Sequence, residues 1–194
     1  MDSPQLVAVA GPDGAGKSTL ASRLLPEKFR LYGYVNADTI ARGLSAYDPE
    51  SVAVQAGRVM LERMDELAAA RFDFAFETTL SGRTYARWIR RLKDDGYVFH
   101  LFFIALRDVE LSIERVKQRV KLGGHSVPEE VIRRRFGAGI RNFFELYRPL
   151  ADNWRVYENS FGPVPRLVAS CREGSAIEVV DPDQWRNLQE YSND

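Results

Sequence analysis

One cysteine, two histidines and no net charge are the first features of this chain, and each excludes something. With Cys171 alone, no disulfide can form within the chain, and a reducing compartment is expected. Lys and Arg total 27, and so do Asp and Glu, so no global basic field argues for a nucleic-acid partner. The longest apolar run, "YVFHLFFIAL" at 97–106, falls well short of the ~20 residues that a bilayer-crossing helix needs. The opening "MDSPQ" is neither basic nor followed by an apolar stretch, so no signal peptide is expected. The expectation is a cytoplasmic protein that meets neither membrane nor nucleic acid. Repeats, low-complexity tracts and long linkers are missing too. Residues 1–194 therefore read as a single domain, long enough for a sizeable core.

What is there is alternation. Apolar runs at 6–11, 31–38, 72–77 and 97–106 read as buried strands. Between them lie helical patterns at 17–25, closed by Pro26, at 49–70 and at 83–96. Basic helices follow at 108–124 and 129–148, then late strands at 154–159, 166–171 and 176–180, and a final helix at 182–191. The expected fold is α/β, a three-layer P-loop NTPase domain with a mostly parallel sheet, helices on both faces and a helical lid near 115–135. Ligands of such sheets sit beyond the carboxyl ends of the strands. Gly11, Asp38 and Glu77 fall at three such ends.

The strongest motif is "GPDGAGKS" at 11–18, which fits G-x-x-x-x-G-K-[ST]. With Gly at about 7% of residues, a chance match in a chain this long falls below roughly one in a hundred. The loop follows an expected strand and opens an expected helix, the context that phosphate cradling requires. An ordinary glycine turn would not need Lys followed by Ser there. Gly11, Asp13, Gly14, Ala15, Gly16, Lys17, Ser18 and Thr19 are the candidate nucleotide-binding residues. Lys17 is expected on the β- and γ-phosphates and the Ser18 hydroxyl on Mg²⁺. No Asn-Lys-x-Asp guanine-reading motif occurs, which favours ATP.

Asp38 has two readings. It accepts a proton from an attacking hydroxyl, or it caps the helix that starts near Thr39. Glu77 closes an apolar strand, where a carboxylate is costly to bury without a partner. It is read either as metal-associated or as bonded to a substrate hydroxyl, and Thr78 and Thr79 after it suit a hydroxylated ligand or a plain turn. "LSG" at 80–82 continues into Arg83 and Thr84 rather than Gly-Gln, so it is read as a loop and not as a transporter-ATPase signature. Arg115, Arg119, Arg133, Arg134 and Arg135 flank the glycine-containing lid segment, with one or two expected to stabilise phosphoryl charge and the rest to face solvent. His125 reads as exposed or functional, and His100 as structural.

The blocks "GPDGAGKSTL", "NADTIARGLS", "FETTLSG" and "GGHSVPEEVIRRRF" resemble the zeta toxin family of P-loop kinases over roughly residues 5–172, closest to the branch often labelled predicted ABC-type ATPases. The phosphate loop is shared by many families, whereas the last two blocks are far more specific. The resemblance implies an ATP- and Mg²⁺-dependent kinase that phosphorylates the sugar 3′-hydroxyl of UDP-N-acetylglucosamine and pairs with a small antitoxin. By similarity Asp38 is the base on that hydroxyl, and Glu77, Thr78, Thr79 and Arg83 hold the substrate. Arg119 and Arg134 are the lid-side catalytic pair that the resemblance favours. Established sugar-nucleotide kinases of the family carry a Glu-Gly-Thr type sequence where this chain has "ETTLSG", which leaves the acceptor open. A P-loop ATPase switch with a macromolecular partner and a non-catalytic nucleotide-binding module are the competing readings.

Overall fold

Strand pairing organises the molecule. The structure, a computed structural model, describes residues 3–29, 31, 33–162 and 164–193. Seven strands pair in one sheet: β1 (Gln5–Ala10), β2 (Tyr34–Val35), β3 (Phe74–Thr78), β4 (Val98–Ala105), β5 (Asn153–Glu158), β6 (Arg166–Cys171) and β7 (Glu178–Val179). Their order is β2-β3-β1-β4-β5-β6-β7. The first five are parallel, and the last two run antiparallel at one edge. Central β1 is an almost continuous buried run, as a strand covered on both faces must be.

The helices are α1 (Lys17–Leu24), α2 (Ala37–Leu44), α3 (Ala53–Ala69), α4 (Thr84–Asp94), α5 (Val109–Lys121), α6 (Glu129–Asn142) and α7 (Pro182–Asn193). Residue alternation along the strands decides which helix covers which face. Phe74 and Phe76 of β3 point to one face and meet Trp88 of α4 edge-on. Phe103 and Trp154 share that face with Phe143, just beyond α6, and Trp154 stacks flat on Trp185 of α7. On the opposite face His100 and Phe102 meet Phe29, which follows α1. This is the expected α/β layering.

Several boundaries differ from the sequence reading. Pro26 does not close α1: the chain continues through it as a π-helical turn, Leu25–Phe29. The expected strand at 31–38 contracts to Tyr34–Val35, because Asn36 turns the chain into α2 by accepting the amides of Asp38 and Thr39. Tyr32 of that span lies outside the described residues, as do Met1 and Asp2 of the opening segment. The expected helix at 49–70 starts only at Ala53. α6 ends at Asn142 and gives way to a π turn, Phe143–Tyr147, and a 3-10 turn, Arg148–Leu150. Among the described residues no helix is long and apolar enough to cross a membrane.

Candidate active site

The loop between β1 and α1 bends at Gly11, where φ is 142° and any Cβ would stand 2.2 Å from the Ile104 carbonyl oxygen. Only glycine lets the loop leave β1 this close to β4. Other elements hold the loop in place. Ser112 of α5 donates to the Asp13 carbonyl at 2.5 Å, and Asn159, just past β5, donates to the Ala15 carbonyl at 2.9 Å. Arg115 reaches the Gly14 carbonyl at 3.5 Å. Lys17 is buried and donates to the Pro12 carbonyl at 3.0 Å, a bond that bends its ammonium back over the loop.

Glu77 is the hub beside this loop. Alternation in β3 sends it to the α1 face, away from Thr78. One carboxylate oxygen accepts from the Ser18 hydroxyl at 2.8 Å and the Asn36 amide at 2.9 Å, and also from the Tyr34 hydroxyl. The other lies 3.8 Å from the Lys17 ammonium. These partners offset the desolvation of a carboxylate only 12% exposed. Tyr34 titrates well above its ordinary value, first because it is buried and then because the Glu77 charge disfavours a phenolate.

A polar cleft of about 240 Å³ opens beside the hub, lined among others by Asp13, Lys17, Asp38, Glu77, Thr78 and Arg135. Asp38 does not cap α2: Asn36 does, and Asp38 sits in the first turn. Among the described residues no side chain engages the Asp38 carboxylate, so that group remains available to the cleft. Thr79, Ser81 and Gly82 complete the wall opposite the loop. A second cavity of about 250 Å³, next to Gly16 and Thr19, is walled by Leu20, Arg23, Tyr157 and Pro165 and lies on the other side of the P-loop.

The structure separates the arginines. Arg135 lines the cleft, its guanidinium 3.6 Å from an Asp13 oxygen. Arg134 is exposed and does not line the cleft. Arg119 is drawn toward the segment between α5 and α6, donating to the His125 carbonyl at 3.1 Å. Arg133 is committed to Glu110 and Glu129 at the surface. Arg83 is exposed at the start of α4, outside the cleft lining. So Lys17, Ser18, Asp38, Glu77, Thr78 and Thr79 come together, whereas Arg83, Arg119 and Arg134 do not join them. Tyr34, Asn36, Ser112, Asn159 and Arg135 complete the site. Of these, only Arg135 carried a prior signal, as one of the lid arginines.

The comparisons agree with this architecture. An uncharacterized protein of Haemophilus influenzae is 30% identical over 126 residues, covering 65% of this chain and 88% of that protein. The structure of AvrRxo1-ORF1:-ORF2 with ATP superposes with a TM-score of 0.77 at 20% identity, over 96% of this chain; the chain spans only 63% of that protein's length. The PezAT toxin–antitoxin system of Streptococcus pneumoniae superposes at 0.63 with 17% identity, over 100% of this chain and 87% of that one. At these identities the superpositions speak for the fold. The profile of the family described as Zeta toxin matches residues 1–160. On that match the chain belongs to the zeta toxin family, and its fold is that of the P-loop kinases.

Proposed function

We propose that this protein transfers the γ-phosphate of ATP to a hydroxyl of a small molecule, with a sugar nucleotide such as UDP-N-acetylglucosamine the acceptor that the family resemblance favours. The observation that carries the reading is the meeting of Lys17, Ser18, Glu77, Asp38 and Arg135 around one cleft. The AvrRxo1-ORF1:-ORF2 structure with ATP supports the choice of nucleotide. The cavity beside Thr19 and Tyr157 suits the base and ribose, since it continues outward from the phosphate loop.

Asp38 takes the proton of the acceptor hydroxyl as its oxygen attacks. A bond forms between that oxygen and the γ-phosphorus. The bond to the bridging oxygen breaks, and its electron pair leaves with ADP. Lys17 and Arg135 meet the charge that accumulates on the transferring group. Thr78 and Thr79 orient the acceptor.

The Ser18 hydroxyl and the Glu77 carboxylate, 2.8 Å apart, form a pair of oxygen donors that fits Mg²⁺, an ion that takes few protein ligands and keeps waters and phosphate oxygens. Among the described residues no cluster of three or more His, Cys, Asp or Glu side chains could hold a metal unaided, which matches that mode of binding. When bound, the ion supplies charge neutralisation at the β- and γ-phosphates. A small antitoxin protein is the proposed partner, supported by family membership and by the toxin–antitoxin system among the similar structures.

The test is a mass-spectrometric screen of UDP-N-acetylglucosamine, free sugars and nucleosides with ATP and Mg²⁺. A phosphorylated product is expected with the wild type and is expected to fall by about 10²–10⁴-fold with Asp38→Asn, while ATP affinity stays. ATP hydrolysis with every acceptor unmodified would replace the kinase reading with an ATPase switch.

A further inference from the structure

α6 serves the cleft twice. Its Arg135 faces the P-loop side, and its later residues press on the acceptor wall. Gly139 lies so close that an added Cβ would stand 2.5 Å from the Thr79 carbonyl oxygen. One turn on, buried Asn142 donates its side-chain amide to the Leu80 carbonyl at 2.7 Å. Tyr147, with no exposed surface, donates its hydroxyl to the Gly82 carbonyl at 2.5 Å. Burial raises the Tyr147 phenol to about 12, so it remains a donor at any working pH. Three contacts from one segment thus fall along four residues of loop.

The loop needs such restraint. Leu80 has φ 56°, a left-handed conformation that a branched side chain adopts only when its surroundings impose it. Its side chain is wholly buried, so the strain cannot relax by turning Leu80 outward. Thr78 helps from within, its hydroxyl accepting the Leu80 amide at 3.0 Å, and Thr79 and Ser81 share a hydroxyl pair at 2.9 Å. Strained backbone of this kind, beside a cleft and pinned through its carbonyls, keeps residues 78 and 79 on the cleft lining.

We propose that Gly139, Asn142 and Tyr147 are positioning residues for the acceptor: they lock Thr79–Gly82 so that the acceptor hydroxyl is presented in register with the phosphate that Arg135, on the same helix, helps to hold. This rests on the kinase reading above. Its consequence is that α6 beyond Arg135 is part of the fixed frame, and that lid motion is confined to the segment before it.

Asn142→Ala and the near-isosteric Tyr147→Phe test it, since the second removes only a hydroxyl and leaves the core filled. Two readouts are needed: steady-state kinetics against both substrates, and amide hydrogen exchange of residues 78–84 in the full chain without acceptor. The expected result is a loss in acceptor kcat/KM of about tenfold or more for Asn142→Ala and a smaller loss for Tyr147→Phe, a scale set by sub-ångström misplacement of a reactant. The KM for ATP should stay within about twofold in both, and exchange at 79–82 should quicken. A merely structural role would raise both KM values together, and that outcome, or unchanged exchange in both variants, overturns the proposal. If the wild type phosphorylated no acceptor, the kinase reading would fail by itself, and the exchange data alone would decide whether α6 locks the loop.

Discussion

A helix advances about 100° per residue, so Arg134 and Arg135 cannot face the same way. α6 packs through Ile132, Phe136 and Ile140, and this buried stripe leaves Arg135 on the cleft flank and Arg134 toward water. The consequence is chemical. A guanidinium within reach of the P-loop can meet charge as it develops on the transferring phosphoryl group, whereas one in solvent is screened and distant. Arg135→Ala is therefore expected to lower kcat by on the order of 10³, the scale of an arginine in phosphoryl transfer, and Arg134→Ala by less than about twofold. Comparing kcat for the two purified variants decides the matter. Equal losses, or a loss confined to Arg134→Ala, would return the role to the arginine that family resemblance favoured. The triplet Arg133–Arg135 was visible in the sequence, but choosing among its members needed the phase of α6 against the core.

At the scale of elements, the two walls of the cleft are tied by one acid. Glu50, ahead of α3, accepts the Ser126 amide at 3.2 Å and lies 3.7 Å from the His125 ring. It joins the segment between α2 and α3, elements that carry Asp38 and Met60 to the cleft, to the segment between α5 and α6. On the proposed kinase reading, a closure held by this contact would keep water from the γ-phosphate. An exposed contact contributes about 0.5–1 kcal/mol, or a two- to fivefold bias toward the closed form. Glu50→Ala should raise phosphate release relative to phosphoryl transfer by about that factor. A ratio unchanged from wild type would remove Glu50 as a latch. Nothing in the local sequence announced this contact, because its partners are 76 residues apart. The same holds for Tyr34 and Asn36, whose roles come from the parallel pairing of β2 with β3. By contrast β1, β3 and β4 were legible, since a buried parallel strand reads as an apolar run, and so was the P-loop, whose glycines and lysine are a local necessity. The π turn through Pro26 was not: a proline after a helical pattern is an ordinary stop, and here Leu31 bonds back to the Leu25 carbonyl and carries the chain past it.

For the whole molecule, the half-buried imidazole of His100 links stability to pH. It sits in β4 under the turn that follows α1, edge-on to Phe29 with ring centroids 5.0 Å apart, and its Nε2 lies 2.6 Å from the Gln5 side-chain oxygen. Burial pushes its pKa below the ordinary 6.5, with Arg155 acting in the same direction and Asp152 against it. The unfolded chain therefore binds this proton at a higher pH than the folded one does. Stability gained from a neutral His100 is fully present above 6.5 and is lost as pH falls from there toward the depressed folded value. The melting temperature should thus drop on acidification from about pH 7 to pH 5, a window that precedes most carboxylate titration. His100→Gln, which keeps a polar group near Gln5 but cannot charge, should flatten that decline even if it lowers the melting temperature at neutral pH. Parallel pH profiles for wild type and variant would remove His100 as the source of the loss. A flattened profile would mean that a single ring on β4, outside the cleft lining, sets the acid limit of the sheet that positions Lys17, Glu77 and Asp38.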